Sequence, residues 1–529
     1  MIAQAPNPYH EIGPTPSATG RVARPPPGEI SMMPPTPPSL ASTTGFDPRS
    51  WIERLWSSVA ERGRAHVEAA PPQPGAPPLD RAREFAAALL SERGEASGAA
   101  VARELHAALR ELGPEDRLAF YRFLAANFLP DEDRLRAAAQ AYLAEPTPER
   151  AARLAEAADP SRQELLRRMN LAPGGTTALV AMRKDVLGHL REDPALKPLD
   201  SDLHHLFGSW FNRGFLDLRR IDWQTPAAVL EKLIAYEAVH EIQGWDDLRR
   251  RLAPDRRCFG FFHPALPGEP LIFVEVALTR GLAASIQPLL ARDGDEAGQR
   301  AREREADTAI FYSISNCQDG LRGISFGNFL IKQVVEELKA ELPGLVRFST
   351  LSPVPGFRRW LEREADAGSD TGAPRAEAVQ ALAAAAGADA DAGQTQTLAA
   401  ALAAATAGEW WTDEARAGAL RDPLLRSCAA YLTRPNTGAS GGDPVARFHL
   451  GNGARLEQIN WPGNTSPRGM RESFGIMVNY LYDLDTIEAN HEAFVRSGAV
   501  VRSPAVDALL CPPDAGPTSK RPPVRSRDD

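Results

Sequence analysis

Cysteine is scarce in this chain: four in 529 residues, at Cys258, Cys317, Cys428 and Cys511, far apart and without CxxC or metal-ligand spacing. That argues against a disulfide scaffold and fits a reducing, cytosolic compartment. Long apolar runs are also missing. The nearest approach to a run of about 18 apolar residues is the alanine-rich stretch Ala378 to Ala407, and aspartate, glycine and threonine interrupt it, so no membrane span is expected. Nor is there an excess of positive charge. Sixty Lys and Arg face 69 Asp and Glu, a net charge of −9, whereas nucleic-acid binders carry a basic face to neutralise phosphates. Small anionic substrates remain possible, because they need only a local positive site.

What is abundant is proline, 46 residues, and it concentrates at the ends. The opening "MIAQAPNPYHEIGPTPSATGRVARPPPGEISMMPPTPPSL" has neither the apolar core of a signal peptide nor a transit-peptide pattern and reads as a disordered tail. The closing "GPTSKRPPVRSRDD" reads likewise, and the expected location is the cytoplasm. Between the tails the texture changes once. From about Trp51 to about Trp210 apolar residues recur at helical spacing, as with Leu118, Tyr121, Leu124 and Phe128, or Phe85 and Leu89. Proline-containing breaks separate these helices, which together read as a packing or oligomerisation bundle.

Beyond Asn212, "PLIFVEVALT", "AIFYSIS" and "LVRFSTLS" read as strands, with the amphipathic helix "NFLIKQVVEELKAEL" between the last two. "ARFHL", "ARLEQINW" and "GIMVNYLYDL" are expected to add more strands. The fold class is α+β: an N-terminal all-α bundle over residues 49–211, then a mixed α/β domain over 212–505, with tails at 1–48 and 506–529. An Ala-rich insertion at 366–408 reads as surface helix with flexible joints.

Two constellations could carry chemistry. In "NCQDGLRGISFGNFLIK", glycines at 320, 323 and 327 lie between a strand ending at Ser315 and a helix beginning near Asn328. Backbone amides and the positive end of a helix would there face one anion-sized space, with Arg322 adding charge suited to phosphate. A glycine turn that only caps a helix is the plainer alternative. The Walker lysine and the GxGxxG dinucleotide spacing are both absent, so an acyl carrier with a pyrophosphate, coenzyme A, is the better candidate. The second constellation pairs Ser352, in "FSTLSPVPGF", with His449, in a β-prone run before the hairpin signal "GNG". "GASGG" meets the literal GxSxG pattern, but neither a strand before it nor a helix after it is expected, so Ser440 reads as loop.

At these residues the sequence resembles the malonyl-CoA decarboxylases. The match runs through "LDSDLHHLFGSWFNRGFLDL", "EAVH", "HPALPGEPLIFVEVALT", "IFYSIS", "GLRGISFGNFLIK", "FSTLSPVPGF", "FHLGNGARLEQINW" and "GIMVNYLYDL", in that order. The resemblance implies a helical oligomerisation domain followed by a catalytic domain of the GNAT acetyltransferase type, malonyl-CoA as substrate, and a homo-oligomer. It puts the catalytic serine on Ser352 and the catalytic histidine on His449. The CoA loop falls on Arg322, Gly323, Ile324, Ser325, Phe326, Gly327 and Asn328, and Ser313 and Tyr482 fall on pocket positions. At Ser325 some relatives carry a glutamate that this chain lacks.

The expected reaction is loss of CO₂ to a thioester enolate, which is then protonated on carbon. His449 is expected to supply the proton, with an unperturbed imidazole pKa of roughly 6.5. Ser352 would assist at the carboxylate or relay the proton. The thioester is itself the electron sink, so no metal or organic cofactor is called for. An acetyl transfer to an amine and a non-catalytic acyl-CoA sensor are the competing readings.

Overall fold

The computed structural model describes residues 75–510, apart from 292–294, 325–329, 367–401, 404–405 and 435–441. Most of the Ala-rich insertion, Ser440 and the four CoA-loop positions from Ser325 to Asn328 therefore lie outside the described residues.

The N-terminal half is helical: α1 (Pro78–Leu89), α2 (Glu92–Glu111), α3 (Pro114–Asn127), α4 (Glu132–Ala144), α5 (Pro148–Ala158), α6 (Ser161–Met169), α7 (Gly175–His189) and α8 (Lys197–Trp210). Proline opens α1, α3 and α5, where its missing N–H has no intrahelical partner to lose. Asp131 and Thr147 cap α4 and α5 through their side chains. Ala82, Ala86 and Leu89 of α1 meet Val101, Leu105 and Ala108 of α2 in a dry core. The α4–α5 hairpin differs, since α4 buries no residue, α5 buries only Ala157, and Leu143 is 80% exposed.

The sheet domain continues with β1 (Asp217–Ile221), α9 (Ala227–Tyr236), α10 (Trp245–Arg251), β2 (Arg256–Phe262), β3 (Pro270–Thr279), α11 (Gln287–Leu290), α12 (Glu296–Glu305) and β4 (Thr308–Asn316). Then come α13 (Leu330–Glu341), β5 (Arg347–Thr350), β6 (Ser352–Pro353), α14 (Phe357–Asp366), α15 (Glu414–Thr433) and α16 (Pro444–Gly451). The order ends with β7 (Arg455–Asn460), α17 (Pro467–Ser473), β8 (Met477–Leu481), α18 (Ile487–Ser497) and α19 (Pro504–Leu510). The mixed sheet runs β1-β2-β3-β4-β5-β8-β6, with β7 on β8. The pairings between these strands are antiparallel except β4 with β5, which α13 joins as a crossover, and a single parallel bridge links Leu456 to Arg502. A helical region followed by a mixed sheet domain is the architecture expected from the sequence.

Both faces of the central strands are covered. Phe259, Val274, Val276 and Phe311 pack under Leu330, Val334 and Leu338 of α13, while Cys258 and Phe273 meet Leu230, Leu233 and Leu248 of α9 and α10. Burying one such side chain contributes roughly 1.5–3 kcal/mol, which is why β2 and β3 read as nearly continuous apolar runs. Glu275, in the middle of β3, is fully buried and is met by Arg251 at 2.6 Å.

Candidate active site

The site begins where two strands part. β4 and β5 pair in parallel from Thr308↔Arg347 to Phe311↔Thr350, and Leu351 N–H still donates to the Phe311 carbonyl at 2.9 Å. Beyond that point β4 runs on to Asn316 against β3, while the other chain turns onto β8 through Ser352↔Val478 and Pro353↔Met477. Pro353 and Pro355 have no N–H to give a ladder, so they favour the departure. The two strands thus part, with the continuing β4 on one side and Ser352 on the other.

Ser352 Oγ lies 3.1 Å from His449 Nε2, and His449 Nδ1 lies 2.8 Å from the Tyr482 hydroxyl. Ser352 donates to Thr350 Oγ1 at 2.9 Å, and that oxygen also accepts from Tyr480 N–H at 3.2 Å. One tautomer satisfies the whole chain: Tyr482 donates to Nδ1, the Nε2–H donates to Ser352, and Ser352 donates to Thr350. The imidazole is stacked on the Tyr480 ring, centroids 4.7 Å apart. Ser352, His449 and Tyr482 are all buried.

Two expectations about His449 are corrected. It does not sit on a strand but on α16, because Asp443 caps that segment and Pro444 occupies its first turn, both helix-start signals. Ala446, His449 and Leu450 then share the buried face at helical spacing. Nor does its pKa stay near the ordinary value. Burial, with no nearby charge to offset it, pushes the imidazole down to about 3, so the resting side chain is neutral.

The glycine loop is placed at the end of β4, one residue later than expected, after Asn316. Gly323 takes φ +81, a conformation that favours glycine. Gly320 has a different role: a Cβ there would stand 1.9 Å from the Val180 carbonyl oxygen, so the loop docks directly on α7. Buried Arg183 of α7 donates to the Gly320 and Arg322 carbonyls at 2.8 and 2.9 Å, and Asp200 holds its guanidinium at 2.8 Å. The helical half is thus a support for this loop as well as a packing unit, which the sequence reading missed. The Arg322 side chain is 72% exposed and only 3.9 Å from Asp319, so its charge faces solvent. Ile324 is buried.

Ser313 does not join the Ser352–His449 pair. Its hydroxyl lies 2.8 and 2.7 Å from the two Glu237 oxygens and 3.3 Å from Ser315 Oγ, and Ser315 also reaches Glu237. A bulge in β4 opposite Glu275 and Val276 turns consecutive residues toward the same neighbour: Tyr312 lies beside His240 and Ser313 beside Glu237. Glu237 and His240 are the ends of "EAVH", and that pattern was the available signal.

A cavity of about 500 Å³ opens beside the loop, lined by Lys184, Tyr236, Ala238, Asn316, Cys317 and Gly320 among others. A larger one, about 710 Å³, lies at the opposite end of the sheet. Its arginines are taken up by ion pairs of Arg257 with Glu303, Arg220 with Glu341, Arg250 with Asp255 and Arg300 with Glu296, while Arg249 lies over Trp223. Those pairings make it a scaffold feature rather than a reaction site.

Among known proteins, residues 214–520 match the model of the malonyl-CoA decarboxylase C-terminal domain and residues 128–211 that of the N-terminal domain. The mitochondrial malonyl-CoA decarboxylase of Anser anser anser is 39% identical over 64% of this chain and 66% of its own length. That of Rattus norvegicus is 36% identical over 68% of this chain and 73% of its own. A solved malonyl-CoA decarboxylase structure from Rhodopseudomonas palustris aligns with TM-score 0.70 at 50% identity, covering 81% of this chain and 99% of that one. One from Agrobacterium vitis aligns with TM-score 0.70 at 47% identity, over 82% and 100%.

Proposed function

This chain belongs to the malonyl-CoA decarboxylase family and is a carboxy-lyase, and we propose that it turns malonyl-CoA into acetyl-CoA and CO₂ with Ser352 and His449 as its reacting pair. The observation that carries the reading is the 3.1 Å contact between Ser352 Oγ and His449 Nε2, both buried, beside the point where β4 and β5 part.

The substrate's thioester arm lies along the open edge of β4, with its pyrophosphate at the glycine loop, and the malonyl carboxylate reaches Ser352. A neutral buried imidazole and an incoming carboxylate are both poorly solvated, and a proton taken up with the substrate converts them into an ion pair. The C–C bond then breaks, its electron pair passes into the thioester as an enolate, and CO₂ leaves. The imidazolium returns its proton to carbon, directly or through the Ser352 hydroxyl, and the neutral histidine is restored. We assign the enolate oxygen to backbone N–H donors on the part of β4 beyond its pairing with β5. Protonation near pH 6.5 is thereby replaced by protonation coupled to binding.

Two further parts of the reading concern the whole molecule. The exposed α4–α5 hairpin, with Leu143 on its surface, suits self-association through the helical region, which light scattering tests. Among the described residues no helix is long and apolar enough to cross a membrane, and a cytoplasmic location is tested by fractionation.

The purified chain is expected to release CO₂ from malonyl-CoA with acetyl-CoA as co-product. His449→Ala or Ser352→Ala decarboxylating at the wild-type rate would remove that residue from the mechanism. Labelled acetyl-CoA incubated with amines distinguishes an acyltransferase, and binding without turnover distinguishes a sensor.

A further inference from the structure

Ser352 and His449 come from segments 97 residues apart, yet one buried carboxylate touches both segments. Asp443 Oδ1 accepts the N–H groups of Val445 and Ala446 at 2.9 and 3.1 Å and so caps α16, the helix that carries His449. Asp443 Oδ2 accepts the N–H of Gly356 at 3.2 Å, at the far side of the Pro353-Val354-Pro355 turn that leaves Ser352. Tyr431 supplies a further side-chain hydrogen bond. Asp443 is 2% exposed, and no Lys or Arg among the described residues forms an ion pair with it, so these donors are what hold it in place.

The approach of the two segments is close at Gly356, where any larger residue would have to displace Tyr431. A Cβ there would stand 2.4 Å from the Tyr431 hydroxyl and 3.4 Å from Asp443 Oδ2. The serine turn is thus pressed against the aspartate and tyrosine that anchor the histidine helix.

We propose that Asp443 is a positioning residue for the decarboxylation: one oxygen sets the start of the histidine helix, the other fixes the serine turn, and together they set the Ser352–His449 contact. This rests on the reading of Ser352 and His449 as the reacting pair. Asp443 touches neither of them and acts through the backbone. Misplacing a reacting group by about 1 Å can cost on the order of 100-fold in rate, so a clamp of this kind governs turnover more than binding.

Asp443→Ser separates the two functions, because serine caps a helix well but is too short to reach Gly356. The expected result is a roughly 10- to 100-fold fall in kcat with KM for malonyl-CoA within about twofold of wild type. Gly356→Ala attacks the same contact from the other side and is expected to lower kcat similarly. Tyr431→Phe added to Gly356→Ala removes the hydroxyl that the new Cβ strikes and is expected to recover about tenfold of the loss. This pair decides the matter even where Asp443→Ser folds poorly.

Wild-type kcat in Asp443→Ser, a loss matched by a rise in KM, or no recovery in the Gly356→Ala/Tyr431→Phe double variant would overturn the proposal. If Ser352→Ala and His449→Ala are active, it is the reacting-pair reading that fails. If they are inactive while Asp443→Ser is not, only the clamp fails.

Discussion

His449 Nδ1 lies 2.8 Å from the Tyr482 hydroxyl, on the side of the ring away from Ser352, so both imidazole nitrogens are engaged before any substrate arrives. Tyr482 is buried, and burial pushes its phenol well above the ordinary range, so it stays protonated and able to donate. The pair therefore presets which nitrogen faces the serine.

Tyr482→Phe removes that donor while keeping the ring. Kcat is expected to fall by about tenfold with KM little changed, because the tautomer is lost and the substrate contacts are not. Steady-state kinetics checks this, and an unchanged kcat would mean that Tyr482 only fills space.

Proton uptake accompanies binding. The free imidazole is held down to about 3, and the malonyl carboxylate raises it, so at neutral pH the complex binds up to about one more proton than its components. Malonyl-CoA affinity is accordingly expected to weaken as pH rises, whereas acetyl-CoA, lacking the carboxylate, binds without uptake. Calorimetric titration in two buffers of different ionisation enthalpy measures the proton count directly; equal values for both ligands would refute it.

The loop support is tested at Gly320. Gly320→Ala puts a methyl against the Val180 carbonyl and is expected to cost about 1–3 kcal/mol of stability and to raise KM for CoA esters. Arg183→Ala, which frees two loop carbonyls, is expected to raise KM while lowering kcat less. A change in neither KM would show that the helical region does not hold the loop in its working shape.

Acid should unfold the domain early. His449 and His240 are both held down to about 3 in the folded state, His240 by burial first and then by Arg251 and Arg468. The unfolded chain binds these protons near pH 6.5, so each group's share of stability is complete above that value. As pH falls from about 6.5 toward 3, each contributes a loss of up to about 1.4 kcal/mol per unit. Denaturant midpoints measured across that range give the slope, and a flat profile would contradict neutral burial of both rings.

Much of this was legible in the chain itself. The 3.6-residue spacing of Leu118, Tyr121 and Leu124 and the apolar runs around Phe273 and Phe311 announce helices and buried strands, because local periodicity mirrors the face that must leave water. The histidine segment was misread because Phe448, His449 and Leu450 look β-prone, whereas the Asp443-Pro444 start signal decides for helix. The resemblance puts Ser313 on a pocket position, and the fold adds its contact with Glu237. Its engagement by Glu237 depends on a strand bulge and on a segment 76 residues away; "EAVH" marks that segment in the sequence, but its contact with Ser313 exists only in the fold.

By itself the sequence determined which side chains exist to react and where the chain is stiffened: a serine before two prolines, glycines after a strand, and a histidine whose segment carries both a β-prone run and an Asp-Pro start signal. These are local matters of dihedral preference and missing donors. Only the tertiary structure decided that strands β4 and β5 part at Phe311, that Asp443 bridges the two reacting segments, and that burial leaves His449 neutral. Desolvation and long-range hydrogen bonds depend on what packs around a group, and that exists only once the chain is folded.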